Sequence, residues 1–364
     1  MKFHSSPNPT IGVEIELQLI DDNTQDLKNI SPRILADIDK NFSNRIKHEL
    51  FESMIEINTD VCNTVEEVNQ DIKQTLLHLE DILKNYNASM NCSSLHPFAK
   101  GKNQIITNNA RYKRIMKDLQ IIGTRFITQG LHVHIGIDDC EKAIKVNNAI
   151  RMYLPLLLAL TTSSPYYEGE DTGLHSYRTK IFESLPLAGL PDYLNDWDHF
   201  TKLTDNLIKA DVIRSVKDLW WEVRPHPGFG TVEIRVCDIP VNLEKTLALV
   251  ALIQALVITI QNEDDYPDTH IQILESNKWQ SARYGLEGAF IDPVTLKQLS
   301  VRKAIENLCN LIEPIMVSSG SAKYIRVIED ILMQGTGATK QRKLYESSGN
   351  FKNMIQCLKE QFYE

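Results

Sequence analysis

The chain has 364 residues, with 39 Lys plus Arg against 48 Asp plus Glu, a formal net charge of −9. That acidic balance argues against an obligate nucleic-acid binder, which would show a basic face. With 42% hydrophobic and 24% charged residues, the composition is that of a globular enzyme with a large buried core.

The opening MKFHSSPNPT has no basic stretch leading into an apolar one, so no secretory signal is expected. The alternation over Ile11–Ile20 predicts a strand. Ser31-Pro32 opens a short helix, and Ile46–Ile57 leads into a second strand. Thr64–Tyr86 reads as a long amphipathic helix, because Val65, Val68, Ile72, Leu76, Leu79, Ile82 and Leu83 recur at helical spacing. A short strand over Asn91–Leu95 and a helix over Asn108–Asp118 follow. Leu131–Ile137 alternates again. Cys140–Thr162 reads as one helix kinked at Pro155. Ser163–Pro191 is rich in Gly and Pro and reads as a loop-rich insertion. Trp197–Lys209 is predicted helical, and Trp220–Arg224 and Thr231–Val236 are two strands joined by a Pro/Gly turn. Beyond Leu243 the chain is mainly helical.

The apolar segments Ile150–Leu160 and Leu247–Ile260 are shorter than a membrane span requires and read as core helices, so no membrane partner is expected. Six cysteines (62, 92, 140, 237, 309 and 357) are scattered without a CxxC pair, which points to the cytoplasm. Strands appear early and mid-chain without regular βαβ alternation. The expected fold class is α+β with an antiparallel sheet.

Three strand-like segments carry paired polar groups at i and i+2, which a strand places on one face. Glu14 and Glu16 flank Ile15, His132 and His134 flank Val133, and Glu233 and Arg235 flank Ile234. Any one of these alone is compatible with a solvated sheet face. Together they lack the Lys, Thr and Ser of such a face, and crowded carboxylates call for cations. Divalent ions with oxygen ligands, Mg²⁺ holding nucleotide phosphates above all, answer that need. GxxxxGK[ST], a strand-linked GxGxxG, HEXXH and GxSxG are absent. The HxH pair leaves a metal-dependent hydrolase open as an alternative. A non-catalytic binder of nucleotide or amino acid is a third reading. Trp220-Trp221 is read as packing rather than as a platform for adenine.

As a set, the segments IGVEIELQLID, ELFESMIEINTDVC, GLHVHIGIDD, SSPYYEGEDTGLHSYRTKIFESLPLAGLP, WWEVRPHPGFGTVEIRVCDIP and GTGATKQR resemble the type 2 glutamate–cysteine ligase-like family of carboxylate–amine ligases. The resemblance runs from about Ile11 to about Phe351. It implies one catalytic domain over residues 1–364, with a glutamine synthetase-like curved antiparallel sheet forming an active-site funnel. It implies ATP and Mg²⁺ (or Mn²⁺) as cofactors, and amide formation between a glutamate-like acid and an amine such as cysteine through an acyl phosphate. Glu14, Glu16, Glu49, Glu56, His132 and Glu233 are the implied metal ligands. His134 and Arg224 are implied contacts to nucleotide phosphate or substrate carboxylate. Arg235 and Arg178, with Glu233, are the implied catalytic groups. Lys340 and Arg342, in the basic segment 335–342, would close over the nucleotide, and 163–191 is the implied lid. Ile15, Met54 and His175 depart from the pattern. The last two bear on substrate identity. Self-association is compatible with such an enzyme.

Overall fold

A computed structural model describes residues 1–263, 266–360 and 362. Its centre is a seven-stranded sheet built from β1 (Ile11–Asp21), β2 (Ile46–His48), β3 (Met54–Asn58), β4 (Ala88–Asn91), β5 (Leu131–Gly136), β8 (Val223–His226) and β9 (Thr231–Ile234). Two-residue strands β6 (Tyr166–Tyr167) and β7 (Glu170–Asp171) form a separate hairpin. The order is β2-β3-β1-β5-β9-β8, and β4 pairs with β1 beyond the end of β5. All pairings in the sheet are antiparallel, so the fold class is α+β as expected.

The alternation read in β1 separates two faces. Ile11, Val13, Ile15 and Leu17 are buried, whereas Glu14 and Glu16 lie on the other side and keep partial exposure. Helices cover the apolar face. They include α2 (Val65–Lys84), α4 (Cys140–Ile150) and α8 (Leu243–Asn262). The start of α2 is set by Thr64, whose Oγ1 accepts the Glu67 N–H at 3.2 Å. α8 is apolar all round and 15 of its residues are buried. It is long and apolar enough to cross a membrane, yet its surface is covered by α4 and by the later α10 (Val301–Ser318) and α11 (Lys323–Gln334). The largest hydrophobic cluster takes residues from Ile11 to Phe362.

Several expectations shift. The single helix over Cys140–Thr162 is two, α4 and α5 (Leu154–Thr161), because Pro155 lies in the first turn of α5, where its missing N–H costs nothing. The strand expected at Asn91–Leu95 is β4, three residues earlier. Segment 163–191 is not a free loop. Besides the hairpin it holds the one-turn helix α6 (Arg178–Phe182), and its roots are stitched to buried Asp238. That carboxylate accepts from Ser163 N at 2.9 Å, Ser164 Oγ at 2.8 Å and Ser176 Oγ at 2.9 Å. From Gly337 on, the polar segment 335–342 is likewise folded into α12 (Gly337–Ser348), with Thr336 as its N-cap. A Cβ on Gly337 would sit 2.7 Å from Val241 and 2.8 Å from Ser163, so only glycine lets this helix seat there.

Candidate active site

The register converts separate i, i+2 pairs into one array. Glu14 on β1 lies opposite Asn58 on one side and His132 on the other, and Glu16 lies opposite Glu56. His134 lies opposite Glu233, which in turn lies opposite Arg224. Antiparallel partners share a face, so acids, imidazoles and guanidinium groups from five strand segments meet over one surface. They line a cavity of about 330 Å³. Arg178, Glu49 and Arg235 reach the same cavity from α6, from the turn before β3 and from the end of β9.

Two clusters of potential ligands result, each with its donor atoms within 4.8 Å of one another: Glu14, His134 and Glu233, and Glu16, Glu49 and Glu56. His134, expected on phosphate, is the imidazole that joins a cluster. His132, expected on metal, has Nδ1 3.3 Å from Glu14 and 3.5 Å from Arg235. Thr231 Oγ1 holds His134 Nδ1 at 3.0 Å. Its Nε2 lies 3.5 Å from Glu14 and 3.9 Å from Glu233. That buried Nε2 has no hydrogen-bond partner among the described residues.

The two clusters differ electrostatically. Burial opposes charge on Glu14, but the neighbouring His132 and His134 outweigh it and hold the carboxyl well below its usual range. Burial likewise opposes charge on Glu233, and Arg235 and Arg224 hold it low. Arg224 donates from Nε to Glu233 Oε2 at 2.8 Å, and Arg235 donates from Nη1 to Oε1. In the second cluster nothing cationic compensates enough. Burial and the charge of Glu14 raise Glu56 to about 7. Burial with Glu16 and Glu56 raises Glu49 well above the ordinary value, and burial raises Glu16. Burial and the neighbouring Arg235 lower His132 to about 4, leaving it neutral. Burial works against the charged form of His134, but Glu233 and Glu14 raise it.

The donor sets fit divalent cations. The first offers two ionised carboxylates and an unpartnered imidazole nitrogen, and the second offers three carboxylates that repel one another.

The HSYR motif points to Arg178 but not to the groups that hold it. Its guanidinium donates to the carbonyls of Arg235 and Val236, both at 3.3 Å, and lies 3.7 Å from Asp238. A Cβ on Gly130 would stand 2.3 Å from Arg178 Nη2, and the Gly130 N–H donates to Glu16 at 2.6 Å. Gly130→Ala is therefore expected to displace a buried guanidinium and cut turnover by about a hundredfold or more, with fold retained by circular dichroism.

Lys340 and Arg342 lie outside the cavity lining. Arg342 is paired with Asp171 at 2.7 Å and donates to the Leu174 carbonyl at 2.9 Å. Trp220 and Trp221 part company: Trp221 packs with Phe200 in a side core, whereas Trp220 lines the cavity. Ile15 is buried in the core and Met54 lines the cavity. Thr231 and Asp238 sit in the quoted motif TVEIRVCDIP without having been singled out. An i−2 hydroxyl beside Glu233 and an acid two positions past Val236 were the available signals.

The family described as glutamate–cysteine ligase family 2 matches residues 10–360. A protein of Gloeobacter violaceus named "Putative glutamate–cysteine ligase 2" is 38% identical over 352 residues, covering 95% of each chain. A namesake from Solibacter usitatus is 34% identical over 360 residues, 98% of this chain and 94% of that one. Among solved structures, the glutamate–cysteine ligase of Francisella tularensis in complex with AMP superposes with a TM-score of 0.74 at 15% identity, over 100% of this chain and 90% of that chain. A bifunctional glutathione synthetase from Pasteurella multocida gives 0.73 at 13% identity, over 97% of this chain and 52% of that one. At such identities the two structures speak for the fold, while the sequence relatives and the family match speak for descent. The chain belongs to glutamate–cysteine ligase family 2.

Proposed function

We propose that the chain is an ATP-dependent carboxylate–amine ligase of the glutamate–cysteine ligase kind. The observation that carries this reading is the pair of acid clusters side by side on one sheet face, with Arg178, Arg224 and Arg235 buried around them. Carboxylates alone would bind metal. Carboxylates ringed by guanidinium groups suit metal together with phosphate.

Mg²⁺ or Mn²⁺ held by Glu14, His134 and Glu233, and by Glu16, Glu49 and Glu56, would neutralise and align phosphate oxygens. The chain's own side chains do the rest. Glu233 fixes Arg224 and Arg235 so that their remaining N–H groups are oriented before substrate arrives, which lowers the reorganisation needed as charge develops on the transferred group. Arg235 Nε and Arg178 Nε are buried without partners among the described residues, as donors awaiting an anion would be. His132, neutral, braces Glu14. In the reaction a carboxylate oxygen of the acid bonds to the γ-phosphorus as its bond to ADP breaks. The amine nitrogen then bonds to the acyl carbon, inorganic phosphate leaves, and the nitrogen gives up a proton. Water must be kept from the acyl phosphate, and Arg178, Phe182 and Leu185 are the residues of 163–191 that border the cavity.

The test is release of ADP and phosphate from ATP in Mg²⁺ with glutamate and a panel of amines, with hydroxylamine added to trap an acyl phosphate as hydroxamate. Equal amounts of ADP, phosphate and amide are expected. No release with any pair overturns the reading, and zinc-dependent hydrolysis without ATP establishes the hydrolase instead.

A further inference from the structure

The lining of the cavity changes character along its length. Leu50 directly follows Glu49, and Met54 precedes Glu56 by two on β3, so it shares its face. An apolar wall thus begins where the cluster of Glu16, Glu49 and Glu56 ends, and it continues through Phe126, Phe182, Leu185 and Trp220. The rings brace one another, Phe126 to Phe182 at 6.2 Å and Phe182 to Trp220 at 6.1 Å. Met54, Phe126 and Leu185 are buried in their own hydrophobic cluster, so the wall is preformed.

A nucleobase does not need this wall. Beside the other cluster, Phe229 is 60% exposed. Its ring stacks on His226 at 4.2 Å and lies 5.8 Å from His134. That flat surface sits next to the imidazoles and arginines suited to phosphate. The wall, in contrast, adjoins the cluster of Glu16, Glu49 and Glu56, and its apolar side chains offer no partner to the carboxylates of a glutamate-like acid. It is not closed either. Ile115, Leu119 and Trp220 also border a second cavity of about 460 Å³, where Leu187 and Val212 sit beside charged groups such as Arg114, Asp118 and Asp211. A small thiol side chain would leave most of this surface uncovered.

We propose that the acceptor amine carries a bulky apolar substituent, the size of a leucine or phenylalanine side chain or larger, seated on the wall from Met54 to Trp220. This rests on the ligase reading and names its amine. The test measures phosphate release with ATP, Mg²⁺ and glutamate against leucine, phenylalanine, alanine and cysteine. Leucine or phenylalanine is expected to exceed alanine and cysteine in kcat/KM by at least about tenfold. Met54→Gln is expected to lower the value for the apolar amines by about tenfold and that for alanine by no more than about threefold. Trp220→Ser, at a partly exposed position, reads the same selectivity should Met54→Gln fail to fold. Turnover with alanine or cysteine that equals or exceeds the apolar amines overturns this inference and leaves the ligase standing. Turnover with no amine overturns both.

Discussion

Glu233→Gln is expected to lower ATP-dependent phosphate release by at least about a thousandfold. Glu233 is the counter-ion of Arg224 and Arg235 and faces His134, with its own side chain only 2% exposed. An amide there keeps the shape and removes the charge. The first cluster loses an anionic ligand, and the two arginines lose the group that holds them in place. Two buried guanidinium groups without compensation also cost stability, on the order of 3–5 kcal/mol. Urea melts and phosphate release therefore move together in this variant. Arg235→Lys separates the two effects: charge is kept, but the fork that spans Glu233 and the cavity is lost. It is expected to remain folded with turnover reduced by about a hundredfold or more. Near-wild-type rates in Glu233→Gln would remove that residue from the reaction.

The second large effect is on metal binding as a function of pH. Glu56 in the metal-free protein is raised to about 7, above an ordinary carboxylate, chiefly by burial and next by Glu14. Its proton is therefore retained in the folded chain where the unfolded chain has lost it. The stabilisation this gives is complete below the unfolded value and disappears as pH climbs through about 7, by at most about 1.4 kcal/mol per pH unit. A divalent ion must expel the same proton. Affinity for Mg²⁺ is then expected to be about tenfold greater at pH 8 than at pH 6 from Glu56 alone, and Glu49, raised by burial and by Glu16 and Glu56, adds in the same direction. Calorimetric titration at both pH values, with proton release read from two buffers, measures this. Glu56→Gln should flatten the dependence; an unchanged slope in that variant would place the proton elsewhere.

Most of the site was legible because strand periodicity is short-range. Glu14/Glu16, His132/His134 and Glu233/Arg235 each declare a face within three residues. Periodicity does not say which strands pair, and that register is what sets His134, rather than His132, against Glu233. The α+β class followed from element order, and family membership from motifs spanning the chain. What was misplaced depended on distant partners. Arg342 reads as a free basic group until Asp171 is seen beside it. The glycines of 335–342 suggest a mobile loop, whereas Gly337 is needed for close packing against Val241 and Ser163. Pro155 signals a kink or a helix start equally well by composition, and only the buried turn around Arg151, whose guanidinium donates to the Pro191 carbonyl at 3.0 Å, decides for a start.

The all-round apolar helix α8 has a consequence for how the chain reaches its native state. It leaves the ribosome before α10 and α11, the elements that later enclose it. During synthesis at roughly 5–20 residues per second, that greasy rod waits several seconds for its cover. Nascent chains at this stage are natural clients for a holdase, and chains shortened before α10 should precipitate rather than yield a trimmed enzyme.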